Sequence, residues 1–283
     1  MKIAIVGPRS PLAEAFIDLL RNSDDHWTLS FYHNSDLSPL IEFKGEEIPV
    51  LPIKGDNLKF DAPEVVIFFP QEDYQEAILA TELLDLKIID TTGAFISDPT
   101  IPLILPPVND ELVLKHNLVS LPSFDTALFV PVIHSLDRRF HIKRVSIISQ
   151  DKEPNKDFFL QNDYDTSEIN SINEMSKILD NDSLRITVTH KEYNASPLHN
   201  YFFNITMARP FNTEELLTQL RVVASVYSQK DLGTFDLEKD LVLRRYRRDL
   251  SLDSGIHLWI STKDPQQPLL RAILSVLEKI KAG

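Results

Sequence analysis

The chain has 283 residues, of which 43% are hydrophobic and 25% charged, and its formal net charge at pH 7 is −13. This length favours two domains over one small core, and the acidic balance argues against a broad surface for nucleic acid or anionic membranes. The absence of cysteine excludes disulfides, thiolate metal sites and a thiol nucleophile.

The N-terminus and the apolar runs lead us to expect a soluble, cytoplasmic protein. The opening MKIAIVG is too short and too soon polar for a signal peptide, and no apolar run reaches the length of a membrane span. The eight histidines show no metal-ligand spacing, so we expect no metal. The basic run RRYRR at 244–248 is interpreted as a solvated or salt-bridged strand, with a phosphate or an acidic partner as the alternative.

The first segment has the pattern of a strand, a tight turn and a helix. The apolar run KIAIV at 2–6 predicts a buried parallel strand that ends at Gly7. Ser10 is a candidate N-cap and Pro11 a first helical residue, and a second strand is predicted at 27–33. This is the opening of a dinucleotide-binding unit, whose phosphate loop normally carries three small residues.

The phosphate-loop positions read Gly7, Ser10 and Ala13, so only the first is glycine. Pro8 and Pro11 lack N–H donors and crowd the approach of a phosphate. We therefore expect the affinity for a dinucleotide to be weakened or lost. The loop alone is equally compatible with a strand–helix junction of an α/β fold that binds no ligand. The candidate cofactor contacts are Gly7, Arg9, Ser10, Pro11 and Ser35.

The end of the second predicted strand bears on which dinucleotide would fit. It reads His33, Asn34 and Ser35, without the acidic residue that commonly binds a ribose diol. If a dinucleotide binds, this ending favours a 2′-phosphate over a bare ribose diol.

The remaining pattern predicts two domains of different class. Strands and helices alternate up to about residue 121, which predicts a parallel sheet covered on both faces. Long strands with little helical cover then predict an α+β domain at 122–262 with an antiparallel-rich sheet, whose open face is a candidate surface for a partner subunit. The apolar helix at 268–283 is expected to return to the first domain, 1–121.

The stretch LVSLPSFDTALFVPVIHSL at 118–136 predicts a strand, a Pro-Ser turn and a helix over 127–136. Enzymes that attack a carbonyl often place Cys or Ser at such a turn, where a helix N-terminus stabilises negative charge. Here the middle of the turn is Phe124, whose ring can neither attack a carbonyl nor hold a proton.

Taken in chain order, these segments resemble the aspartate-semialdehyde dehydrogenase family over nearly the whole length. The resemblance implies a Rossmann-like NADP-binding domain, a dimerisation domain, and an NADP-dependent enzyme of amino-acid biosynthesis that reductively dephosphorylates β-aspartyl phosphate. The segments that carry it are KIAIVG (2–7), IIDTTGAF (88–95), IPLILPPVN (101–109), the turn at 118–136, EMSKIL (174–179), HNYFFNITMARPF (199–211) and IHLWIS with the final helix (256–283).

Carried over residue by residue, the resemblance implies that most of the family's chemistry is missing. The nucleophilic Cys falls on Phe124, and two anion-binding Arg positions fall on Ile96 and Glu192. A family Lys falls on Asn170. A thioester mechanism needs a thiolate, and bound phosphate and carboxylate need cationic clamps. The chain therefore resembles a degenerate member, like the Usg-type sister proteins that lack the catalytic Cys.

Four positions keep the family's residue type. His199 matches the acid–base His, with Asn204 and Arg209 at the family's spacing, and Glu168 matches a carboxylate that binds the substrate ammonium. His199 is interpreted either as a surviving base or as a hydrogen-bonded strand histidine. Asp125 with Thr126 is interpreted as a helix cap, the alternative being a new acid–hydroxyl pair.

Three hypotheses follow. The first is a catalytically inactive relative that acts by binding a nucleotide, a metabolite or a partner protein, with NADP affinity weak or lost. The second is an active NAD(P)-dependent oxidoreductase of altered chemistry. The third is a structural homodimer, or a heteromer with a paralogue, that uses the open sheet face.

Overall fold

The chain folds as two compact units. The computed structural model describes residues 1–34, 40–151, 164–181, 183–192, 198–222 and 241–283. Met1–Ser123 with Leu269–Gly283 forms the first unit, and Phe124–Pro268 forms the second.

The first unit contains a seven-stranded sheet in the order β3-β4-β2-β1-β5-β6-β7. All neighbouring pairs run parallel except β3 with β4. The strands β1 and β5 are buried along nearly their whole length, as uninterrupted apolar runs predict. The bounds are β1 Lys2–Val6, β2 Thr28–His33, β3 Leu40–Phe43, β4 Glu46–Pro52, β5 Val65–Phe68, β6 Lys87–Asp90 and β7 Leu118–Ser120.

The helices of the first unit are α1 Pro11–Arg21, α2 Gly55–Asp61, α3 Gln75–Glu82 and most of α7 Gln267–Ala282, with a 3₁₀ turn at Asp110–Leu112. Ser10 caps α1 as predicted, because its hydroxyl accepts from the Ala13 N–H at 3.1 Å. In α7, Lys279 lies 2.9 Å from the carboxylate of Asp110.

The second unit contains a five-stranded sheet in the order β11-β12-β10-β8-β9, in which only β8 and β9 run parallel. Its strands are β8 Ile142–Asp151, β9 Arg185–Glu192, β10 His199–Met207, β11 Val242–Arg248 and β12 Gly255–Thr262. Its helices are α4 Phe124–Phe140, α5 Thr166–Leu179 and α6 Thr213–Leu220.

One face of this sheet is a hydrophobic core. Alternate residues of β10 are buried, and the Phe129 ring of α4 meets the rings of Tyr201 and Phe203 edge-on at 5.5 and 5.8 Å. The opposite face carries the partly exposed rings of Phe202 and Trp259.

The predicted fold class is therefore confirmed in both sheets. Several local predictions are wrong. The helix α4 begins at Phe124 and not at 127, so Asp125 lies inside its first turn. Asn109 precedes the 3₁₀ turn without a capping hydrogen bond from its side chain, because its amide is hydrogen-bonded to the backbone of Leu105 and Leu103. The N-cap of α6 is Asn212, whose side chain accepts from the Glu215 N–H. The hairpin β3–β4 and α2 were not predicted.

A buried carboxylate ends β6 next to β7. Asp90 is fully buried and accepts hydrogen bonds from the Thr92 N–H at 2.8 Å, the Thr92 hydroxyl at 2.6 Å and the Ser120 hydroxyl at 2.9 Å. Burial raises the pKa of Asp90 above its usual range, against these hydrogen bonds.

This raised pKa predicts how stability depends on pH. Because the folded state favours the protonated acid, the contribution of Asp90 is fully present below its unfolded pKa and is lost as pH rises through the folded pKa. We expect Asp90→Asn, which mimics the protonated form, to gain unfolding free energy relative to wild type as pH rises from the unfolded pKa of Asp to the folded pKa of Asp90. The gain should grow by at most about 1.4 kcal/mol for each pH unit in this interval, as measured by urea unfolding.

The matched control is Asp98→Asn. Asp98 accepts the same two hydrogen bonds, from the Thr100 N–H and hydroxyl, but at an exposed turn. This variant measures the effect of replacing a turn carboxylate with the same two hydrogen bonds where the bonds are exposed. A pH-independent difference for Asp90→Asn would contradict the prediction.

Candidate functional site

The turn between β1 and α1 keeps the glycine that a phosphate loop requires. Gly7 has φ +76°, and a Cβ atom there would lie 2.7 Å from the Phe69 carbonyl oxygen. Only glycine therefore fits this closely packed turn. Ser10 is buried at the start of α1, and Pro11 is the first helical residue. The loop thus has the predicted strand–turn–helix geometry.

The loop's outward-facing groups already have partners in the chain. The Arg9 N–H donates to the side-chain oxygen of Gln71 at 2.9 Å, and the Arg9 guanidinium donates to the Leu40 carbonyl at 3.3 Å. The Ser10 N–H donates to the Gly7 carbonyl at 3.2 Å. The fifth candidate cofactor contact, Ser35, lies outside the described residues.

A carboxylate lies at the end of β2 although the sequence there has none. His33 Nε2 is 3.2 Å from a carboxylate oxygen of Glu72, in the segment that joins β5 to α3. A carboxylate at this point would repel a 2′-phosphate and could accept from a ribose hydroxyl. The predicted preference for a 2′-phosphate assumed that no carboxylate lies at the end of β2, and the structure places Glu72 there.

The start of α4 carries the residue at the nucleophile position. The side chain of Phe124 is 36% exposed, whereas Asp125 and Thr126 are buried in the first turn. Asp125 lies 3.4 Å from His190 Nδ1 of β9. The structure therefore places the Asp125 carboxylate against an imidazole.

The imidazole of His190 was not singled out from the sequence. Its Nε2 is buried and has no hydrogen-bond partner within the residues that the structure describes. A carboxylate at Nδ1 favours the tautomer that leaves Nε2 as a proton acceptor. No sequence spacing links positions 125 and 190, so only the tertiary fold reveals this pair.

Glu168 belongs to the framework that holds α5 and β9. One carboxylate oxygen accepts from the His190 N–H at 2.9 Å and the other from the Asp165 N–H at 3.0 Å. Asp165 in turn accepts from the Glu168 N–H at 2.8 Å, which completes a capping box. Although burial opposes it, hydrogen bonds from Ser167 and Glu168 lower the pKa of Asp165. Both oxygens of Glu168 are thus engaged with backbone N–H groups.

His199 and Asn204 are not brought together. They lie five residues apart in β10, so their side chains project from opposite faces of the sheet, about 16 Å apart along the strand. Arg209 follows the strand, and its backbone N–H donates to the Phe140 carbonyl at 3.2 Å.

Asn204 belongs to a polar cluster on the open face of the sheet. Its amide oxygen accepts from Arg144 at 2.8 Å and its amide nitrogen donates to Asp249 at 2.9 Å. Hydrogen bonds from Ser251 and Asn204 lower the pKa of Asp249 to about 2. A groove of about 360 Å³ adjoins this cluster, with Phe202, Trp259, Arg245, Arg247 and His257 among its lining residues.

The described parts of the chain contain neither a metal-ligand cluster nor a helix that could span a membrane. There, no three His, Asp or Glu side chains are grouped so that they could hold a metal ion. The helices described are all too short or too polar to cross a membrane.

Comparisons with known proteins agree with the sequence resemblance. No family model matches the chain. It is 21% identical to aspartate-semialdehyde dehydrogenase of Bacillus subtilis (strain 168) over 319 residues, which cover 92% of this chain and 91% of that enzyme. The enzyme of Prochlorococcus marinus is 27% identical over 220 residues, which cover 61% of this chain and 64% of that enzyme.

Solved structures show the same fold. Aspartate semialdehyde dehydrogenase II of Vibrio cholerae, complexed with ASA, superposes with a TM-score of 0.82 at 18% identity and covers 98% of this chain and 97% of its own. The Candida albicans enzyme with NADP gives a TM-score of 0.78 at 15% identity, with 99% and 98% coverage. These comparisons confirm the resemblance to the aspartate-semialdehyde dehydrogenases and the Rossmann-like fold.

The geometry predicts that Glu168 is structural. Glu168→Ala should lower the unfolding free energy by about 2 kcal/mol or more, because it leaves the N–H groups of Asp165 and His190 unpaired. The matched control is Glu214→Ala, since Glu214 is an exposed first-turn glutamate of α6. We expect the control to lose less than about 0.5 kcal/mol in urea unfolding. Equal, small losses in both variants would contradict a structural role.

Proposed function

We propose that the chain is a catalytically inactive relative of the aspartate-semialdehyde dehydrogenases that acts by binding a nucleotide, a metabolite or a partner protein. The observation that carries this proposal is the phenyl ring of Phe124 at the start of α4. A helix N-terminus can stabilise a thiolate or an oxyanion, but a phenyl ring offers neither a lone pair nor a proton.

The other carried-over residues also support loss of the ancestral reaction. Glu168 has both carboxylate oxygens on backbone N–H groups, which leaves little capacity for a substrate ammonium. His199 and Asn204 project from opposite sheet faces and cannot act on one reacting group. Ile96 supplies no cation where the resemblance implies an Arg.

Nucleotide binding is the activity that the first unit supports best. Three features are typical of a phosphate-binding strand–turn–helix: the Rossmann-like sheet, the positive φ of Gly7 and the Ser10 cap of α1. The Candida albicans relative was solved with NADP, so NADP is the first dinucleotide to test. Pro8 and Pro11 reduce the number of N–H donors, which favours weak binding.

A second candidate is an active NAD(P)-dependent oxidoreductase of altered chemistry. The pair formed by Asp125 and His190 favours it, because the carboxylate orients the ring and Nε2 is left as an acceptor. Titration with NAD⁺ and NADP⁺ by calorimetry tests this candidate, because an oxidoreductase requires saturable binding in the micromolar to millimolar range and the absence of such binding would remove it.

A third candidate, association of two copies, is favoured by the open face of the five-stranded sheet. Ile148 is 41% exposed and Trp259 is 37% exposed on this face, and the ring of Phe202 lies 5.1 Å from that of Trp259. Neighbouring exposed apolar side chains of this kind are typical of protein interfaces.

The proposal of an inactive relative predicts no turnover of aspartate semialdehyde. Purified protein with aspartate semialdehyde, phosphate and NADP⁺ should produce no NADPH, with the Bacillus subtilis enzyme as the positive control. Phe124→Cys should remain inactive, because Ile96 and Glu192 provide no anion clamps. Turnover that His199→Ala abolishes, or acylation of the new Cys by a β-aspartyl phosphate analogue, would refute the proposal.

The third candidate predicts a homodimer that depends on the open sheet face. We expect the wild-type mass in solution to be twice that of the 32.4 kDa chain. Trp259→Glu should shift the mass to that of a monomer, because it buries a charge in an apolar contact. The control is Leu79→Glu, a change at a 45% exposed position on α3. A monomeric wild type, or a dimer unaffected by Trp259→Glu, would count against this candidate.

A further inference from the structure

The first unit pairs every backbone N–H group from Gly7 to Pro11 with its own atoms. Within residues 7–11, the Gly7 N–H donates to the Tyr32 carbonyl at 3.0 Å and the Ser10 N–H to the Gly7 carbonyl at 3.2 Å. Pro8 and Pro11 have no N–H. The remaining donor, the N–H of Arg9, is the one that donates to a side chain, at 2.9 Å. A phosphate at this loop would need that donor.

The side chain that takes this donor is Gln71, three residues beyond the end of β5. Its Cβ lies directly against the loop, since a Cβ built on Gly7 would be only 3.2 Å from it. Its amide nitrogen lies 2.7 Å from His33 Nε2 at the end of β2. Because the Arg9 N–H can only donate, the amide oxygen must face Arg9 and the NH₂ group must face His33.

Gln71 therefore contacts the two places that a dinucleotide uses in a Rossmann-like sheet. The pyrophosphate accepts from N–H groups of the turn after β1, and a ribose contacts the end of β2. The amide oxygen of Gln71 accepts the hydrogen bond from Arg9 that a phosphate oxygen would accept. Its NH₂ group contacts His33, at the end of β2 where a ribose would lie. A nucleotide cannot make both contacts while Gln71 keeps them.

We infer that Gln71 is an intramolecular ligand that closes the nucleotide crevice of the first unit. A phosphate-bearing nucleotide binds there only by displacing its side chain. The inference rests on the proposed function, because it specifies how nucleotide binding by this chain is regulated.

The test is a set of substitutions titrated with NADP⁺ and, separately, NAD⁺ by calorimetry. Gln71→Ala should bind about tenfold more tightly than wild type, about 1.4 kcal/mol, because the donor at Arg9 becomes free. Gln71→Glu should bind about tenfold more weakly, because it keeps an acceptor at Arg9 and adds a charge that repels phosphate. The matched control, Gln75→Ala, changes an exposed glutamine of the same unit and should bind like wild type.

A second measurement does not need a ligand. The Arg9 amide should exchange with D₂O faster in Gln71→Ala than in wild type, while the Gly7 amide, bonded within the sheet, stays unchanged. Equal affinity of wild type and Gln71→Ala, including no binding by either, or unchanged exchange at Arg9, would overturn the inference. Turnover is assayed in parallel. NADP-dependent turnover would defeat the proposed inactivity and leave the inference about Gln71 standing.

Discussion

The structure depends on one constraint: backbone N–H groups at the starts of helices and the ends of strands need acceptors. Enzymes of α/β architecture commonly leave such donors available to a ligand. In this chain, side chains supply the acceptors instead. The Ser10 hydroxyl serves Ala13, the Gln71 amide serves Arg9, and Glu168 serves both Asp165 and His190. Each donor that is satisfied internally is one that a substrate or cofactor must compete for.

The same constraint explains why several carboxylates of an acidic chain serve structural roles. Asp90, Asp165 and Asp249 each accept at least two hydrogen bonds from nearby hydroxyl, amide or backbone groups. A carboxylate saturated in this way stabilises its turn or helix start, but it has little remaining capacity to bind a cation or to move a proton. The Asp125 carboxylate lies against the imidazole of His190, whose buried Nε2 has no hydrogen-bond partner among the described residues.

The sequence predicts the parts of the fold that depend on local patterns. The apolar runs of β1 and β5, the Ser10 cap and the strand–turn–helix at Phe124 follow from periodicity and capping rules. The hairpin β3–β4 was missed. Its strand β4, EEIPVLP, contains prolines and charges that weaken the alternation of a strand.

The functional contacts were missed for a different reason. Arg9 and Gln71 are 62 residues apart, and Glu168 and His190 are 22 apart. No periodicity or spacing connects such partners, so they become visible only when strands bring them to the same edge of a sheet. The carboxylate of Glu72 reaches the end of β2 in the same way, from another element. Residue type at a motif position is therefore insufficient to identify the group that occupies the site.

The two candidate sites differ in how many of the groups needed for the activity of the enzyme relatives they contain. In the first unit, the loop backbone, the glycine turn and the helix cap are all present, and the Gln71 side chain accepts from the Arg9 N–H. At the positions where the resemblance implies a nucleophile and two anion-binding Arg residues, the chain has Phe124, Ile96 and Glu192, and Glu168 is engaged with backbone N–H groups. A site closed by a single side chain remains able to bind, whereas a site without its reacting group cannot catalyse the original reaction. Binding without that catalysis is therefore the function that we propose.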